Sequence, residues 1–291
     1  MFDLIVVEKK INKIKVIIAI LIILIIIVFA FFAITNKKSI NKDKENKNED
    51  ITTIGTKEEP IIITERKEEK LPKLTYQAKE NVKNIYSLEG HTAYLTFDDG
   101  PSNTVTPFIL DLLKEKNIKA TFFLLGSRVE LYPDIVKREY EEGHYLANHG
   151  YSHVYSSIYS SVESIVNEYN QTEQAIQQAI GRNDYKCHLF RFPGGSVGGK
   201  YKDVKSEAIP ILEEQEVMYM DWNALTNDAA GSHTKEMIME NLQSTVGEKK
   251  NVVILMHDAG DKILTYETLP EVIDFLIEKG YTFDNFYNIM K

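Results

Sequence analysis

The chain opens with a long apolar run. Residues 16–34 are apolar without interruption. An α-helix rises about 1.5 Å per residue and the hydrocarbon core of a bilayer is about 30 Å thick, so this run is long enough to span a membrane. A cleaved signal peptide has an apolar core of only about 7–15 residues. We therefore predict an uncleaved transmembrane anchor at 16–34. Lysines flank it on both sides, so the positive-inside rule does not fix its orientation.

The next segment, 35–86, is rich in Lys, Glu, Asn and Thr and has no sustained apolar period beyond the short run 61–63. Such a composition buries too little surface to offset the entropy of ordering the chain. The segment is predicted to be a solvated linker. The alternative is a small extra domain built around 61–63 and 71–76.

From residue 87 onward, short apolar runs typical of strands alternate with amphipathic helical patterns. The predicted strands are 93–97, 120–125, 145–147, 189–192, 217–220 and 252–256. The predicted helices are 106–116, 134–142, 162–180, 203–215, 235–246 and 269–279. This alternation predicts a parallel sheet covered by helices. About six or seven such units favour a barrel short of eight strands, or a doubly wound sheet, within a domain at 87–291.

The composition excludes several kinds of site. A net charge of -9 weighs against nucleic acid as a ligand, because phosphate binding needs a basic surface. The single cysteine, Cys187, excludes an intrachain disulfide and a Cys-rich zinc site. Cys187 precedes an apolar strand pattern, and we expect it to be a buried structural thiol.

Polar residues follow the predicted strands at the points where these strands end. They are Asp98 and Asp99, His149, Arg191, Asp221 and His257. In both parallel architectures, chemistry collects at the carboxyl ends of the strands. We therefore expect these side chains to form one site.

Two of these clusters have the composition of a metal site. Asp98 and Asp99 are adjacent and point in different directions, so one can bind a metal while the other acts as a base, although alone two acids before Gly-Pro are more typical of a turn. His149 and His153 can share one helical face, and their spacing is common among metal ligands. Two histidines and one carboxylate leave a position open for water, as in catalytic zinc sites.

The remaining clusters contain residues that can orient a neighbouring side chain or donate a proton to a ligand. Arg191 can orient a carboxylate, and the glycines that follow Pro193 allow a backbone N–H to approach a ligand. An aspartate beside His257 would keep the imidazole cationic as a general acid. Taken singly, 193–195 is typical of a plain loop and Trp222 of core packing.

Taken in order, these motifs resemble the polysaccharide deacetylase family, also called the NodB-homology or carbohydrate esterase 4 family. They are TFDDG at 96–100, HGYSH at 149–153, RFPGG at 191–195, DW at 221–222 and LMH at 255–257. The resemblance covers Thr92 to the C-terminus. It implies a deformed (β/α) barrel, usually of seven strands. It also implies removal of N-acetyl or O-acetyl groups from chitin, peptidoglycan, poly-N-acetylglucosamine or xylan.

The resemblance also implies a role for each motif residue. These are Asp98 as general base; Asp99, His149 and His153 as ligands of one divalent metal ion; Arg191 orienting Asp98; Asp221 orienting the general acid His257; Trp222 and Leu255 lining the pocket for the acetyl methyl; and the Gly194 N–H holding the oxyanion. Zinc suits this nitrogen–oxygen ligand set, with cobalt or nickel as alternatives.

Two positions depart from the family pattern. Gly150 stands where the family often has a Ser or Thr that braces the loop, so Ser152 or Asn148 takes over that task or metal affinity is lower. Gly194 stands where the family often has Tyr, and it keeps the N–H but lacks the aromatic wall. These departures bear on glycan preference more than on the chemistry.

The expected function is N-deacetylation of N-acetylglucosamine in peptidoglycan by a single-pass membrane protein. Its catalytic domain is expected outside the cell, which places residues 1–15 in the cytoplasm. The alternatives are another acetylated glycan (a chitin-like oligomer, poly-N-acetylglucosamine or N-acetylmuramic acid) and a non-catalytic glycan-binding protein. A metal-dependent phosphoesterase is disfavoured by the lack of a basic cluster, and a purely structural membrane protein would leave the polar clusters unexplained.

Overall fold

The computed structural model describes residues 71–230 and 232–290. The predicted anchor at 16–34, the cytoplasmic segment 1–15 and the linker as far as residue 70 lie outside these ranges. Among the helices of the described ranges, none is both long and apolar enough to cross a membrane.

The strands form one sheet in which every described pairing is parallel. They are β1 (Thr92–Asp98), β2 (Thr121–Leu124), β3 (Tyr145–Asn148), β4 (Leu189–Phe190), β5 (Met218–Tyr219), β6 (Ala224–Leu225), β7 (Asn251–His257) and β8 (Thr282–Phe283). The order is β5-β4-β3-β2-β1-β7-β6, and β8 pairs with the start of β1. This path runs around a barrel that is open between β5 and β6. The seven strands of this path fit the predicted deformed (β/α) barrel, and β8 is a short eighth strand beside β1.

α-Helices connect successive strands, except β5 and β6, and these helices cover the outside of the sheet, whereas the first and last helices of the described ranges precede β1 and follow β8. The helices are α1 (Tyr76–Lys83), α2 (Thr106–Glu115), α3 (Gly126–Leu131), α4 (Pro133–Glu141), α5 (Tyr155–Ile158), α6 (Val162–Ile180), α7 (Lys202–Glu214), α8 (Lys235–Val246), α9 (Ile263–Glu278) and α10 (Phe286–Ile289). The predictions for α6 and α8 match in full, and those for α2, α4 and α7 match within one residue at each end. Ser161 caps α6 by accepting the Ser164 N–H, and Gly181 ends the helix in the left-handed conformation.

Side chains alternate across β1 between two separate cores. Leu95 and Phe97 belong to the outer core, between the sheet and the helices. Tyr94 belongs to an inner core that fills the barrel. Thr96 and Asp98 lie on the inner face as well, which is why the last residue of an otherwise apolar strand projects toward the barrel axis.

The inner core is closed by the two ends of the described chain. Ala78 and Val82 of α1 and Phe286 of α10 pack into it, and the Lys73 N–H donates to the Met290 carbonyl at 2.8 Å. This differs from the prediction that the linker extends to residue 86, because the described part of it, 71–86, is folded against the barrel. For the same reason, residues 71–76 do not belong to the alternative small extra domain, because they are part of the barrel domain.

Two strands, four short helices (α1, α3, α5 and α10) and part of α9 were not predicted. β6 and β8 are only two residues long, too short to show a period. Helix α9 starts at Ile263 rather than at 269 and continues through Pro270. Its buried face begins with Thr265 and Thr268, so the first turns have helical spacing but lack an apolar stripe.

Candidate active site

The register of the sheet brings the predicted site residues to one edge of the barrel. Asp98 and His257 are register partners at the ends of β1 and β7. Asn148 pairs with Phe190, which places the next residues, His149 and Arg191, side by side. The carboxyl ends of the strands therefore carry the site, as the sequence predicts.

Asp99, His149 and His153 converge at this edge. Asp99 has a positive φ of 72°, which turns its carboxylate away from that of Asp98. Its Oδ1 lies 3.5 Å from Nε2 of His149 and 3.3 Å from Nε2 of His153. All three donor atoms lie within 4.8 Å of one another.

His149 is prepared as a metal ligand by its hydrogen bond. Its Nδ1 lies 2.7 Å from the Arg191 carbonyl, which only accepts, so Nδ1 carries the proton and Nε2 keeps its lone pair. Burial lowers the pKa of His149 to about 3, even though the Asp99 carboxylate acts in the opposite direction. The neutral ring therefore presents a free nitrogen to the cluster at neutral pH.

The three residues fit a divalent metal ion. Asp99 Oδ1 is buried and has no hydrogen-bond partner among the described residues, which is costly unless a ligand binds it. Zinc binds nitrogen and oxygen at about 2.0–2.2 Å, and in a tetrahedron this separates two ligands by about 3.4 Å. The 3.3 and 3.5 Å separations from Asp99 agree with that value.

Asp98 lies beside the metal-binding cluster and is held by Arg191. Its Oδ1 accepts a 2.8 Å hydrogen bond from Arg191, and its Oδ2 lies 3.6 Å from Nε2 of His149. Burial raises the pKa of Asp98, and the Arg191 charge opposes this shift. One carboxylate oxygen is therefore fixed, and the other faces the cluster.

Arg191 is fully buried, and each of its three side-chain nitrogens donates to a specific acceptor. Besides Asp98 it donates to the Thr96 hydroxyl at 2.8 Å and to the Met220 carbonyl at 2.9 Å. Its guanidinium also stacks on the Phe123 ring, 3.8 Å from the ring centre. Removing one partner of such a buried ion pair costs about 3–5 kcal/mol, so Arg191 both neutralises and positions Asp98.

His257 is paired with Asp228, not with Asp221 as predicted. Its Nδ1 lies 2.9 Å from Oδ1 of Asp228, and its backbone N–H donates to Oδ2 of the same residue at 2.8 Å. Thr265 donates to Oδ2 as well, at 2.7 Å. Burial alone would lower the pKa of His257, but the hydrogen bond and charge of Asp228 raise it to about 9. His257 is therefore cationic at neutral pH, with Nε2 as its remaining proton donor.

Asp221 instead holds the loop that follows Arg191. Its carboxylate accepts hydrogen bonds from the Ser196 N–H at 2.9 Å and the Ser196 hydroxyl at 2.5 Å. The buried Lys205 ammonium donates to the Gly195 carbonyl at 2.7 Å in the same loop. Asp221 lies at the end of β5, as expected, but β5 delivers it to the loop rather than to His257.

Known proteins share this arrangement of sequence and fold. Residues 86–210 match the family described as polysaccharide deacetylase. A putative polysaccharide deacetylase of Bacillus subtilis, YheN, is 34% identical over 66% of this chain and 66% of its own length. A peptidoglycan-N-acetylglucosamine deacetylase of Bacillus cereus is 32% identical over 68% of this chain and 70% of its own. This chain belongs to the polysaccharide deacetylase family.

A solved structure supports the family at the level of the fold. A carbohydrate esterase 4 (CE4) esterase of Streptococcus mutans has a TM-score of 0.65 and 32% identity to this chain. The similarity covers 72% of this chain and 91% of the esterase. The two proteins therefore share the same fold.

In this member of the polysaccharide deacetylase family, the loop between the two histidines is braced by Glu168 of α6. The Glu168 carboxylate accepts the N–H groups of Tyr151 and Ser152, each at 2.8 Å, and the Ser152 hydroxyl at 2.5 Å. Asn148 accepts the Gly150 N–H at 2.9 Å. Ser152 and Asn148 thus both brace the loop, and the acceptor that the sequence did not indicate is Glu168.

The same loop is not helical, unlike the prediction that His149 and His153 share a helical face. Gly150 and His153 both have positive φ, at 82° and 56°. The positive φ at residue 150 disfavours any side chain, and a Cβ there would also lie 2.9 Å from Cδ1 of Ile158, so glycine is favoured at this position. The two imidazoles lie close together because the loop turns sharply. Hydrogen bonds to Asn148 at the end of β3 and to Glu168 of α6 hold the loop in this shape.

Gly194, Trp222 and Leu255 lie around the same site. Gly194 is exposed and has a φ of 75°. A Cβ on the next residue, Gly195, would lie 3.2 Å from the Trp222 ring. Leu255 is partly exposed on the inner face of β7, two residues before His257. Their placement is compatible with the predicted acetyl pocket.

Asp258 is a further buried acid at the site. A Cβ at Gly100 would lie only 2.2 Å from its Oδ2, so the TFDDG motif ends in glycine to make room for this carboxylate. Thr106 donates to the same oxygen at 2.5 Å. Burial raises the pKa of Asp258 to about 7. The Asp258 carboxylate thus packs directly against Gly100, in the turn after Asp99.

Changing Asp228 to Asn should move the alkaline limit of turnover. His257 donates a proton only below its pKa, so wild-type activity should fall as the pH rises through about 9. Without the Asp228 charge, that limit should shift toward about 6.5, the ordinary value for imidazole. A pH profile of kcat checks this. Asp221→Asn is the matched control and should keep the limit near 9; if Asp221→Asn shifts it instead, the pairing with Asp228 is wrong.

Proposed function

We propose that this protein is a metal-dependent deacetylase that hydrolyses the N-acetyl group of N-acetylglucosamine in peptidoglycan. The observation that carries the proposal is the position of Asp98. Its free oxygen lies 3.6 Å from a ligand nitrogen of the Asp99–His149–His153 cluster, and its strand partner is the cationic His257. A base, an acid and a metal-binding cluster therefore face one space.

The residues present suit hydrolysis of an amide. A divalent ion held by Asp99, His149 and His153 would supply a Lewis acid for the acetyl carbonyl and for water. Asp98 accepts a proton through Oδ2 as a C–O bond forms between water and the acetyl carbon. His257 gives its Nε2 proton to the sugar nitrogen as the C–N bond breaks. Acetate and a free amino sugar are released.

The proposal also includes binding groups. The Gly194 N–H would donate to the developing oxyanion, and Trp222 and Leu255 would form an apolar pocket for the methyl group. Zinc is proposed as the ion, with cobalt or nickel as alternatives, because imidazole and carboxylate suit each of them.

The proposed substrate follows from chemistry and from the relatives. The net charge of -9 disfavours a polyanion, whereas an uncharged acetamide needs no basic cluster. The Bacillus cereus relative is named as a peptidoglycan-N-acetylglucosamine deacetylase. N-acetylglucosamine is preferred to N-acetylmuramic acid, whose lactyl arm needs additional room. With the apolar run at 16–34 as a single-pass anchor, the domain would act outside the cell membrane on the wall.

Acetate release tests this function. The full-length chain, solubilised in detergent and loaded with zinc, should release acetate from purified peptidoglycan, and a chelator should abolish the release. Release from N-acetylglucosamine oligomers alone would retain the chemistry and change the glycan. No release from either, with zinc bound, would contradict the enzyme and favour a non-catalytic glycan-binding protein.

A further inference from the structure

Tyr155 occupies the space next to Gly194. A Cβ at residue 194 would lie 2.6 Å from the Tyr155 hydroxyl oxygen and 3.3 Å from the ring carbon that bears it. No real Cβ makes the shorter of these contacts. The phenol of the first residue of α5 therefore takes the place of a side chain at 194, and the two positions are matched to each other.

The Tyr155 ring is held between two loops of the site. Its edge meets the imidazole of His153, with ring centres 5.5 Å apart, and it packs against Tyr159 at 5.7 Å. Tyr159 in turn donates a 2.7 Å hydrogen bond to the Pro193 carbonyl. Tyr155 is thus fixed relative to both the metal-binding loop and the Gly194 N–H.

The Tyr155 side chain is nevertheless open to a ligand. The residue is 40% exposed, and its hydroxyl makes no hydrogen bond with any residue of the described ranges. A phenol combines an apolar face for the C–H groups of a sugar ring with a hydroxyl that can donate and accept.

The two consecutive glycines separate this wall from the proposed acetyl pocket. A Cβ at Gly195 would meet the Trp222 ring at 3.2 Å, whereas one at Gly194 would meet Tyr155. When an acetamide is placed with its methyl group toward Trp222 and its oxygen at the Gly194 N–H, the Tyr155 ring is the side chain next to Gly194 that its sugar ring can contact.

We propose that Tyr155 is a specificity-determining residue that forms the sugar-facing wall of the site and hydrogen-bonds a hydroxyl of the N-acetylated sugar. The inference rests on the proposed function, because it takes the acetamide to lie between Trp222 and Gly194. It explains how a chain without a side chain at residue 194 retains an aromatic wall, since α5 supplies the ring from the opposite side.

Binding of an N-acetylglucosamine tetramer tests the wall without turnover. Calorimetry on the zinc-loaded full-length protein, with Asp98→Asn as the background, should show the dissociation constant rising about 3–10-fold for Tyr155→Phe, the loss expected for one neutral hydrogen bond. Tyr155→Ala should weaken binding more, because the ring is lost too. Tyr201→Phe, in the same aromatic cluster but 6.5 Å from the Tyr155 ring, is the matched control and should bind normally.

A small substrate separates sugar binding from a structural role. With Asp98 intact, Tyr155→Phe should lower kcat/KM for the tetramer but not for 4-nitrophenyl acetate, which has no sugar. Equal losses on both substrates, or none on either, would overturn the inference. If the wild type releases no acetate, the proposed function fails, and calorimetry still decides: weaker tetramer binding by Tyr155→Phe supports the wall, and unchanged or absent binding refutes it.

A double-mutant cycle tests the geometric match independently. Gly194→Ala introduces a Cβ that meets the Tyr155 oxygen, and Tyr155→Phe removes that oxygen. The backbone strain of alanine at a φ of 75° is the same in both backgrounds and cancels. Gly194→Ala should therefore lower the melting temperature less in the Tyr155→Phe background. Additive effects would show that the two positions are not in contact.

Discussion

Replacing Asp98 with Asn should lower kcat for acetate release by about 10²–10⁴-fold, the usual contribution of a general base. Asparagine has the same shape as aspartate. Its amide oxygen can still accept the hydrogen bond that Arg191 donates to Asp98 at 2.8 Å in the wild-type protein. It has no carboxylate to accept a proton from water. The loss should therefore appear in kcat, with KM little changed, in steady-state kinetics on peptidoglycan or its oligomers.

The neighbouring acid provides the matched control for Asp98. Asp98→Asn should bind zinc at the wild-type stoichiometry, because Asp98 lies beside the cluster and Asp99 within it. Asp99→Asn makes the same chemical change one residue later and should weaken zinc binding. Near-normal turnover by Asp98→Asn with metal bound would remove Asp98 from the role of base.

The metal-binding cluster should lose its ion when any one of its three residues becomes alanine. Asp99→Ala, His149→Ala and His153→Ala each leave two ligands where a catalytic zinc site needs three. Zinc content after dialysis, measured by inductively coupled plasma mass spectrometry, should fall from one per chain to near zero, and acetate release should fall with it. Unchanged zinc content in all three variants would place the metal elsewhere.

Glu168 allows a smaller loss of zinc binding to be compared with the loss caused by removing a ligand. It contacts the loop between the histidines and is not one of the three ligands, so Glu168→Ala should weaken zinc binding by about 10–100-fold and not abolish it. Competition with a chelating dye measures this affinity. Wild-type affinity in Glu168→Ala would show that the loop keeps its shape without this carboxylate.

The parts of the site that could be predicted from sequence are those that end long, regular strands. β1 and β7 are both seven residues long and apolar, so Asp98, Asp99 and His257 stand out at their ends. The order of the motifs then identified the family and the barrel. The sequence could not reveal the backbone turns at Gly150 and His153 that bring the two histidines together without a helix.

The error over Asp221 has a structural cause. Asp221 and Asp228 are seven residues apart, and only the first follows a strand pattern that can be recognised. Asp228 comes shortly after β6, whose two residues show no period. β6 pairs with β7, so its end lies beside His257, whereas β5 pairs only with β4 on the far side of the opening. The partner of His257 is therefore decided by the order of the strands, which a local pattern does not contain.

The hydrogen bond between Lys73 and Met290 determines how this protein can be attached to a support. Met290 belongs to the inner core, and nearby Tyr287 packs on Tyr145, the first residue of β3, so this end of the core lies near the start of the strands, whereas the site lies at their carboxyl ends. The polypeptide therefore enters and leaves the barrel at the pole opposite the metal ligands. A protein immobilised on a solid support through the chain before Leu71 or after Met290 would present its catalytic pole outward, toward an insoluble polymer that cannot diffuse to it.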